Sequence, residues 1–162
     1  MATVYLGIGS NRRAPENIRL AVRELGERFE LEELSPVYRN QAVGFDGTDF
    51  LNAVARVRTD LPAADVCAEL EQIHRLAGRQ RDERRFSDRS LDIDLLLYDD
   101  LIVDEPPVQV PRSDILRYGF VLGPLADIAP DLRHPETGRT IAEHWQEFDA
   151  PGNSLSAEPD IL

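Results

Sequence analysis

Four stretches of this chain read as strands, two longer ones place apolar side chains at helical spacing, and the order of the six narrows the fold more than any single motif. "TVYLGIGS" at 3–10 sets Val4, Leu6 and Ile8 against Tyr5, Gly7 and Gly9, which is the pattern of a half-buried strand ending in a turn at Ser10-Asn11. The Gly7-Ile8-Gly9 pair lacks the third glycine of a dinucleotide fingerprint and reads as a strand-to-turn device. Pro15 suits a first helical turn, and Ile18, Val22, Leu25 and Phe29 follow on one helix face. "LEELSPVYR" at 31–39 is a second strand with an irregularity at Pro36, which cannot donate to a ladder and favours an edge or a bulge. A Gly-containing loop leads to a third strand, "FLNAVARVRT" at 50–59. Asp60-Leu61-Pro62 opens a second helix, with Val66, Leu70, Ile73 and Ala77 on one face and Gly78 where left-handed backbone closes it. "LDIDLLLY" at 91–98 is the fourth strand.

The order β-α-β-β-α-β predicts an α+β fold of the ferredoxin-like sandwich type, one mainly antiparallel sheet with two helices on one face. Residues from 99 onward exceed that plan and predict additional short strands and helices, one of them in "TIAEHWQEF", where Trp145 is a packing residue. The chain has 162 residues and fits one domain over 1–149, followed by an acidic tail, 150–162, expected to be poorly ordered.

Composition removes whole classes of function. A net charge of -12 repels nucleic acid and anionic lipid over most of the surface. No apolar run approaches the roughly 18–20 residues that span a bilayer, and the first residues carry no secretory pattern. A single cysteine, Cys67, excludes an internal disulfide and fits a reducing, cytoplasmic setting. Nothing suggests a large apolar interface, so the expected state is a monomer.

One local exception to the acidity exists. All 18 basic residues are arginines, and Arg79, Arg81, Arg84, Arg85 and Arg89 crowd into "RQRDERRFSDR". Directly after them, "RSLDIDLLLYDD" puts Asp92 and Asp94 two residues apart in an apolar run. On a strand such residues share a face, and two adjacent carboxylates repel unless a cation relieves them. Magnesium takes one or two carboxylates and completes its shell with water and phosphate oxygens, while arginine forks grip phosphates. The bland reading is that one acid faces solvent, the other pairs with Arg89, and the arginine loop is balanced by Asp82, Glu83 and Asp88. The combination points to phosphoryl chemistry without saying what is transferred, and no P-loop motif is present.

Along roughly residues 3–145 the chain resembles the 6-hydroxymethyl-7,8-dihydropterin pyrophosphokinases of folate biosynthesis. The resemblance rests on "YLGIGSN" at 5–11, "SPVYR" at 35–39, "DFLNAV" at 49–54, "GRQR" at 78–81, "RSLDIDLLLY" at 89–98, "VP" at 110–111 and "GFVLGPLADIAP" at 119–130. It implies a ferredoxin-like sandwich that binds ATP with two magnesium ions, moves pyrophosphate to the pterin's hydroxymethyl oxygen and releases AMP. It further implies Asp92 and Asp94 as magnesium ligands and Arg79, Arg81 and Arg89 as phosphate contacts, the first two on a mobile loop. By the same resemblance Arg112, Ser113 and Tyr118 fall in the region that meets nucleotide. Asn52 is the pterin-reading amide, with Asp92 beside it; Phe50 and Phe120 flank the ring, and backbone from Asn40 through Gln41 to Val43 meets its other edge.

The chain departs from the family's usual pattern at Phe86, Ser87 and Asp88, at Arg112 and Ser113 where His and an aromatic are usual, at Tyr118, and at His74 in place of Glu. His74 is either a hydrogen-bonded side chain on a helix flank or a neighbour of the metal site. Two further readings therefore stay open: a diverged paralogue acting on another pterin, and a non-catalytic pterin or nucleotide binder.

Overall fold

The computed structural model describes residues 1–40, 49–78, 91–148, 155–159 and 161–162. Its main sheet is built on β1 (Ala2–Ser10), which pairs antiparallel with both β4 (Phe50–Thr59) and β5 (Asp92–Tyr98). Beyond β4 lie β2 (Glu30–Leu34) and β3 (Tyr38–Asn40), both antiparallel to it, so the strand order runs β5-β1-β4 and then to β2 and β3 along successive parts of β4. Helices α1 (Ala14–Arg28) and α2 (Ala63–Leu76) bury the even-numbered face of β1: Val4, Leu6 and Ile8 meet Ile18, Ala21 and Leu25 of α1 and Val66, Leu70 and Ile73 of α2. Each Val, Leu or Ile among them, removed from water, contributes about 1.5–3 kcal/mol of gross burial energy.

Two expectations shift by a residue or a break. In α1 it is Ala21 that reaches the core while Val22 is only half-buried, because a small side chain lets the helix approach the sheet closely. "LEELSPVYR" forms two strands, since Pro36 interrupts the ladder. Ser35 carries the pairing across the break: its N–H donates to the Val54 carbonyl and its Oγ accepts from the Val54 N–H, both at 2.8 Å. The chain can then kink at Val37 and still deliver β3 alongside β4.

The opposite face of the sheet is covered too. There Tyr5, Val54, Leu96 and Leu97 pack against Ile115 of α3 (Asp114–Arg117), Leu122, Leu125 and Ile128 of α4 (Gly119–Ile128), and Ile141 of α5 (Ile141–Glu147). A register shift at Tyr5/Leu6 explains the unbroken "LLL" of β5: Leu95 joins one core while Leu96 and Leu97 join the other. A hairpin of β6 (Val103–Glu105) and β7 (Val108–Val110) lies against β5, turning at Pro106-Pro107. Thr140 and Glu143 cap α5 reciprocally. Trp145 does pack, its ring edge lying 3.0 Å from where a Cβ on Gly123 would stand, yet it stays 38% exposed.

The described part of the tail makes specific contacts. Ser156–Ala157 form β8 beside β3, Glu158 Oε1 accepts from Arg39 Nε at 2.7 Å, and the Ile161 carbonyl accepts from Arg19 Nε at 2.7 Å. Ile161 is itself buried in the main core, so in the described part of 150–162 apolar contact and edge pairing override a polar composition. Among the described residues no helix is long and apolar enough to cross a membrane.

His134, near the α4–α5 connection, is buried, and its Nδ1 accepts the Glu136 N–H at 3.2 Å. Burial and then neighbouring His144 hold it below the usual histidine value of 6.5, against a smaller opposite pull from Glu136. The unfolded chain therefore binds a proton before the native one does, so stability is lost as pH falls through about 6.5. Between pH 7.5 and 5.5 the melting temperature is expected to drop, and to drop less in His134→Asn; parallel curves for the two proteins would contradict this.

Candidate functional site

In the antiparallel register Gly9 of β1 stands between Asp92 of β5 and Asn52 of β4, and Gly7 between Asp94 and Val54. Cross-strand partners share a face, so Asp92, Asp94 and Asn52 project together over two positions that have no side chain. The result is a floor of bare backbone between two carboxylates and an amide. The tolerance is tight: a Cβ on Gly9 would lie 2.9 Å from Asn52 Oδ1. The glycines thus sit inside β1 as the floor of a cavity, and the reading of them as a strand-to-turn device gives way to that.

The cavity holds about 460 Å³ and opens between this floor, the flank of α2, the β6–β7 turn and the start of α4. Asn40, Phe50, Asn52, Asp92, Asp94, Arg112, Tyr118 and Phe120 all line it. Asn40 and Asn52 are buried, and the Asn52 amide nitrogen donates to the Asn40 Oδ1. At the opening, the Tyr118 and Phe120 rings stack with centroids 4.9 Å apart, and the Arg117 guanidinium lies over the Tyr118 ring. The Asp92 and Asp94 side chains are 31% and 30% exposed, so their oxygens reach both water and the cavity.

Two residues join the carboxylates to the edge of the sheet. His74, buried at the end of α2, accepts the Ile93 N–H on Nε2 at 2.8 Å. An accepting nitrogen carries no proton, so the ring's hydrogen sits on Nδ1 and points to Glu71 Oε1, 3.1 Å away. Nε2 also lies 3.9 Å from Asp92 Oδ1, which unites the two readings of His74: it is hydrogen-bonded and it borders the paired acids. Arg112 donates its backbone N–H to the Leu96 carbonyl at 2.9 Å and its Nε to Asp114 Oδ2 at 3.2 Å. Its Nη2 stands 3.6 Å from Asp94 Oδ1. Burial works against the Arg112 charge, but Asp94, Asp114 and Asp92 outweigh it and raise its pKa.

Ser113 is exposed and lines an adjoining hollow with Val103, Pro111 and Glu136, which shares Gln109, Arg112 and Asp114 with the cavity. Gln41, Val43, Arg79, Arg81 and Arg89 lie outside the described residues, as do Phe86, Ser87 and Asp88. The residues that sequence reading missed are Gly7, Gly9, Glu71, Cys67, Gln109 and Asp114. For the glycines a signal existed, since two of them inside a strand mark a close approach of something else. For Cys67, whose half-buried thiol is pushed up mainly by burial and then by Glu71, no local signal existed.

Gly9→Ala is expected to destabilise the protein by about 1–3 kcal/mol through overpacking against Asn52. In an Asn52→Ala background the same change should cost distinctly less, because the colliding oxygen is gone. Urea unfolding of the four proteins measures this, and equal costs in both backgrounds would show that the collision is not the cause.

The chain matches the family described as 7,8-dihydro-6-hydroxymethylpterin-pyrophosphokinase over residues 5–130. It is 34% identical over 149 residues to the 2-amino-4-hydroxy-6-hydroxymethyldihydropteridine pyrophosphokinase of Aquifex aeolicus, covering 91% of this chain and 92% of that one. To the Pseudomonas aeruginosa protein of the same name it is 38% identical over 144 residues, covering 86% and 88%. Among solved structures, that of Plasmodium falciparum HPPK-DHPS superposes with a TM-score of 0.69 at 12% identity, a likeness of fold. The superposition covers 90% of this chain but only 44% of the Plasmodium chain, so this chain spans less than half of that one.

Proposed function

The chain belongs to the 7,8-dihydro-6-hydroxymethylpterin-pyrophosphokinase family, and from that premise we propose that it moves pyrophosphate from ATP to the hydroxymethyl oxygen of 6-hydroxymethyl-7,8-dihydropterin, releasing AMP. The observation that carries this reading is the row of Asp92, Asp94 and Asn52 over the Gly7 and Gly9 floor, inside one cavity with Phe50 and Phe120. A flat, polar-edged heterocycle suits that end: aromatic faces for the ring, amides for its donors and acceptors. Asn52 reads the pterin edge, and the Asn40 amide holds the Asn52 side chain in one orientation. By the family resemblance the backbone from Asn40 through Gln41 to Val43 meets the pterin's other edge, and Arg79, Arg81 and Arg89 contact the phosphates.

Asp92 and Asp94 fit magnesium. They are hard-oxygen donors on one strand face, and among the described residues no cluster of three or more candidate ligands forms a closed cage. That donor set suits a cation that keeps its remaining positions for water and phosphate. When bound, with two ions expected alongside ATP, magnesium supplies neutralisation of phosphate charge and a more acidic attacking hydroxyl. The chain's own part is positional and electrostatic: Asn40 and Asn52 orient the acceptor, Arg112 supplies positive charge beside the carboxylates, and Tyr118 borders the nucleotide end.

The sheet order and the pair of helices on one face support the ferredoxin-like description for the core, with 1–149 as one catalytic unit. Among the described residues the large apolar side chains left exposed, including Met1, Leu76, Ile102 and Trp145, are scattered along the chain, which supports a monomer; a cytoplasmic setting, with Cys67 as a free thiol, belongs to the same reading.

The test is AMP formation from magnesium-ATP, with and without the dihydropterin, in the wild type and in Asp92→Asn and Asp94→Asn. Pterin-dependent AMP that falls at least a hundredfold in both folded variants is expected. Pterin binding without AMP in the wild type would replace transfer with a binding role, and AMP formed only with a different pterin would mark a diverged paralogue.

A further inference from the structure

Arg112 stands where a cation approaching Asp94 would stand. Its backbone is tied to the Leu96 carbonyl at the free edge of β5, and its Nε donates to Asp114 Oδ2 at 3.2 Å, so without nucleotide the guanidinium is directed towards Asp94. Nη2 is thereby held 3.6 Å from Asp94 Oδ1. On the other side of the pair, His74 offers Asp92 only an accepting, unprotonated nitrogen at 3.9 Å. The Arg112 charge bears on both acids and most strongly on Asp94, whereas the His74 nitrogen facing Asp92 only accepts.

A free divalent cation reaching Asp94 would meet the Arg112 charge within a few ångströms, a strong repulsion in a half-buried site. A cation carried on a polyphosphate arrives with compensating negative charge. Its phosphate oxygens also present two acceptors in the geometry that a guanidinium fork prefers, a better partner than one carboxylate oxygen at 3.6 Å. Resting on the metal-nucleotide reading above, we propose that Arg112 is the resident counter-ion of Asp94, turns from that carboxylate onto the polyphosphate when nucleotide binds, and so makes the acid pair selective for a cation delivered on nucleotide over a free one. In this role Arg112 is a specificity device for the cation, acting through charge and direction.

The experiment titrates Mn²⁺ alone into the full chain, reading free Mn²⁺ by electron paramagnetic resonance. Wild type, Arg112→Gln, Arg112→Lys and the double variant Arg112→Gln with Asp94→Asn are compared. Bare Mn²⁺ is expected to bind Arg112→Gln about tenfold more tightly than wild type, the effect of removing one nearby charge; Arg112→Lys should stay near wild type and the double variant should lose the gain. With a non-hydrolysable ATP analogue present, the order reverses, and Arg112→Gln binds the manganese-nucleotide complex several-fold more weakly than wild type. Equal bare Mn²⁺ affinity in wild type and Arg112→Gln overturns the proposal, as does a gain that survives Asp94→Asn. Should Arg112→Gln fail to fold, Arg112→Met, which keeps an unbranched stem and adds neither charge nor a hard-oxygen or imidazole ligand, carries the same comparison. Neither pterin nor AMP enters the titration. A flat Mn²⁺ response beside normal AMP production sinks this inference alone, and the expected Mn²⁺ contrast without AMP production sinks only the proposed transfer.

Discussion

Strand β1 is hydrogen-bonded along both sides, to β4 over its whole length and to β5 over most of it, and the remainder of the molecule is arranged around that double register. Alternation along β1 sends Val4, Leu6 and Ile8 into the core beneath α1 and α2 and sends Tyr5, Gly7 and Gly9 to the other face. Glycine inside a strand weakens it by about 0.5–1 kcal/mol in conformational entropy. Pairing on two sides offsets that weakness, and the open backbone it leaves is what lets acids from one neighbour and an amide from the other face a common space. The floor of the cavity exists because the strand that carries it is hydrogen-bonded on both sides.

The free edge of β5 is managed by the same residues that flank its carboxylates. An unpaired strand edge exposes amide and carbonyl groups, and here His74 accepts from Ile93 while the Arg112 amide donates to Leu96. Their side chains then lie beside Asp92 and Asp94 respectively. Stability of the edge and charge at the site are therefore linked, since a change at His74 leaves a buried N–H without its acceptor as well as altering the neighbourhood of Asp92. The opposite edge is closed by β8, which pairs with the strand that ends in Asn40.

Much of this was legible in the chain. The period of Val4-Leu6-Ile8, the helical spacing of Val66, Leu70 and Ile73, and the Gly78 stop with its positive φ all depend on neighbours within a few residues, and each appears in the structure as the pattern requires. The pairing of Asp92 with Asp94 on one face is likewise a property of any strand. Ser113 shows the limit: it follows Arg112 directly in the chain, yet the turn into α3 leaves it outside the cavity that Arg112 enters. The tail shows it again, since a polar composition gave no sign that Ile161 would find a place in the core.

What the sequence determined by itself was the set of elements, the face on which each acid and apolar residue emerges, and the family resemblance carried by short site segments. What only the tertiary structure decided was which faces meet. That Gly9 lies between Asp92 and Asn52, that Asn40 reaches Asn52 past the Pro36 break, and that Arg112 stands over Asp94 each require residues from separate strands to come into one register. Side-chain direction is set by local backbone geometry, whereas register is set by the joint packing of two cores on opposite faces of β1, and no stretch of neighbouring residues contains that information.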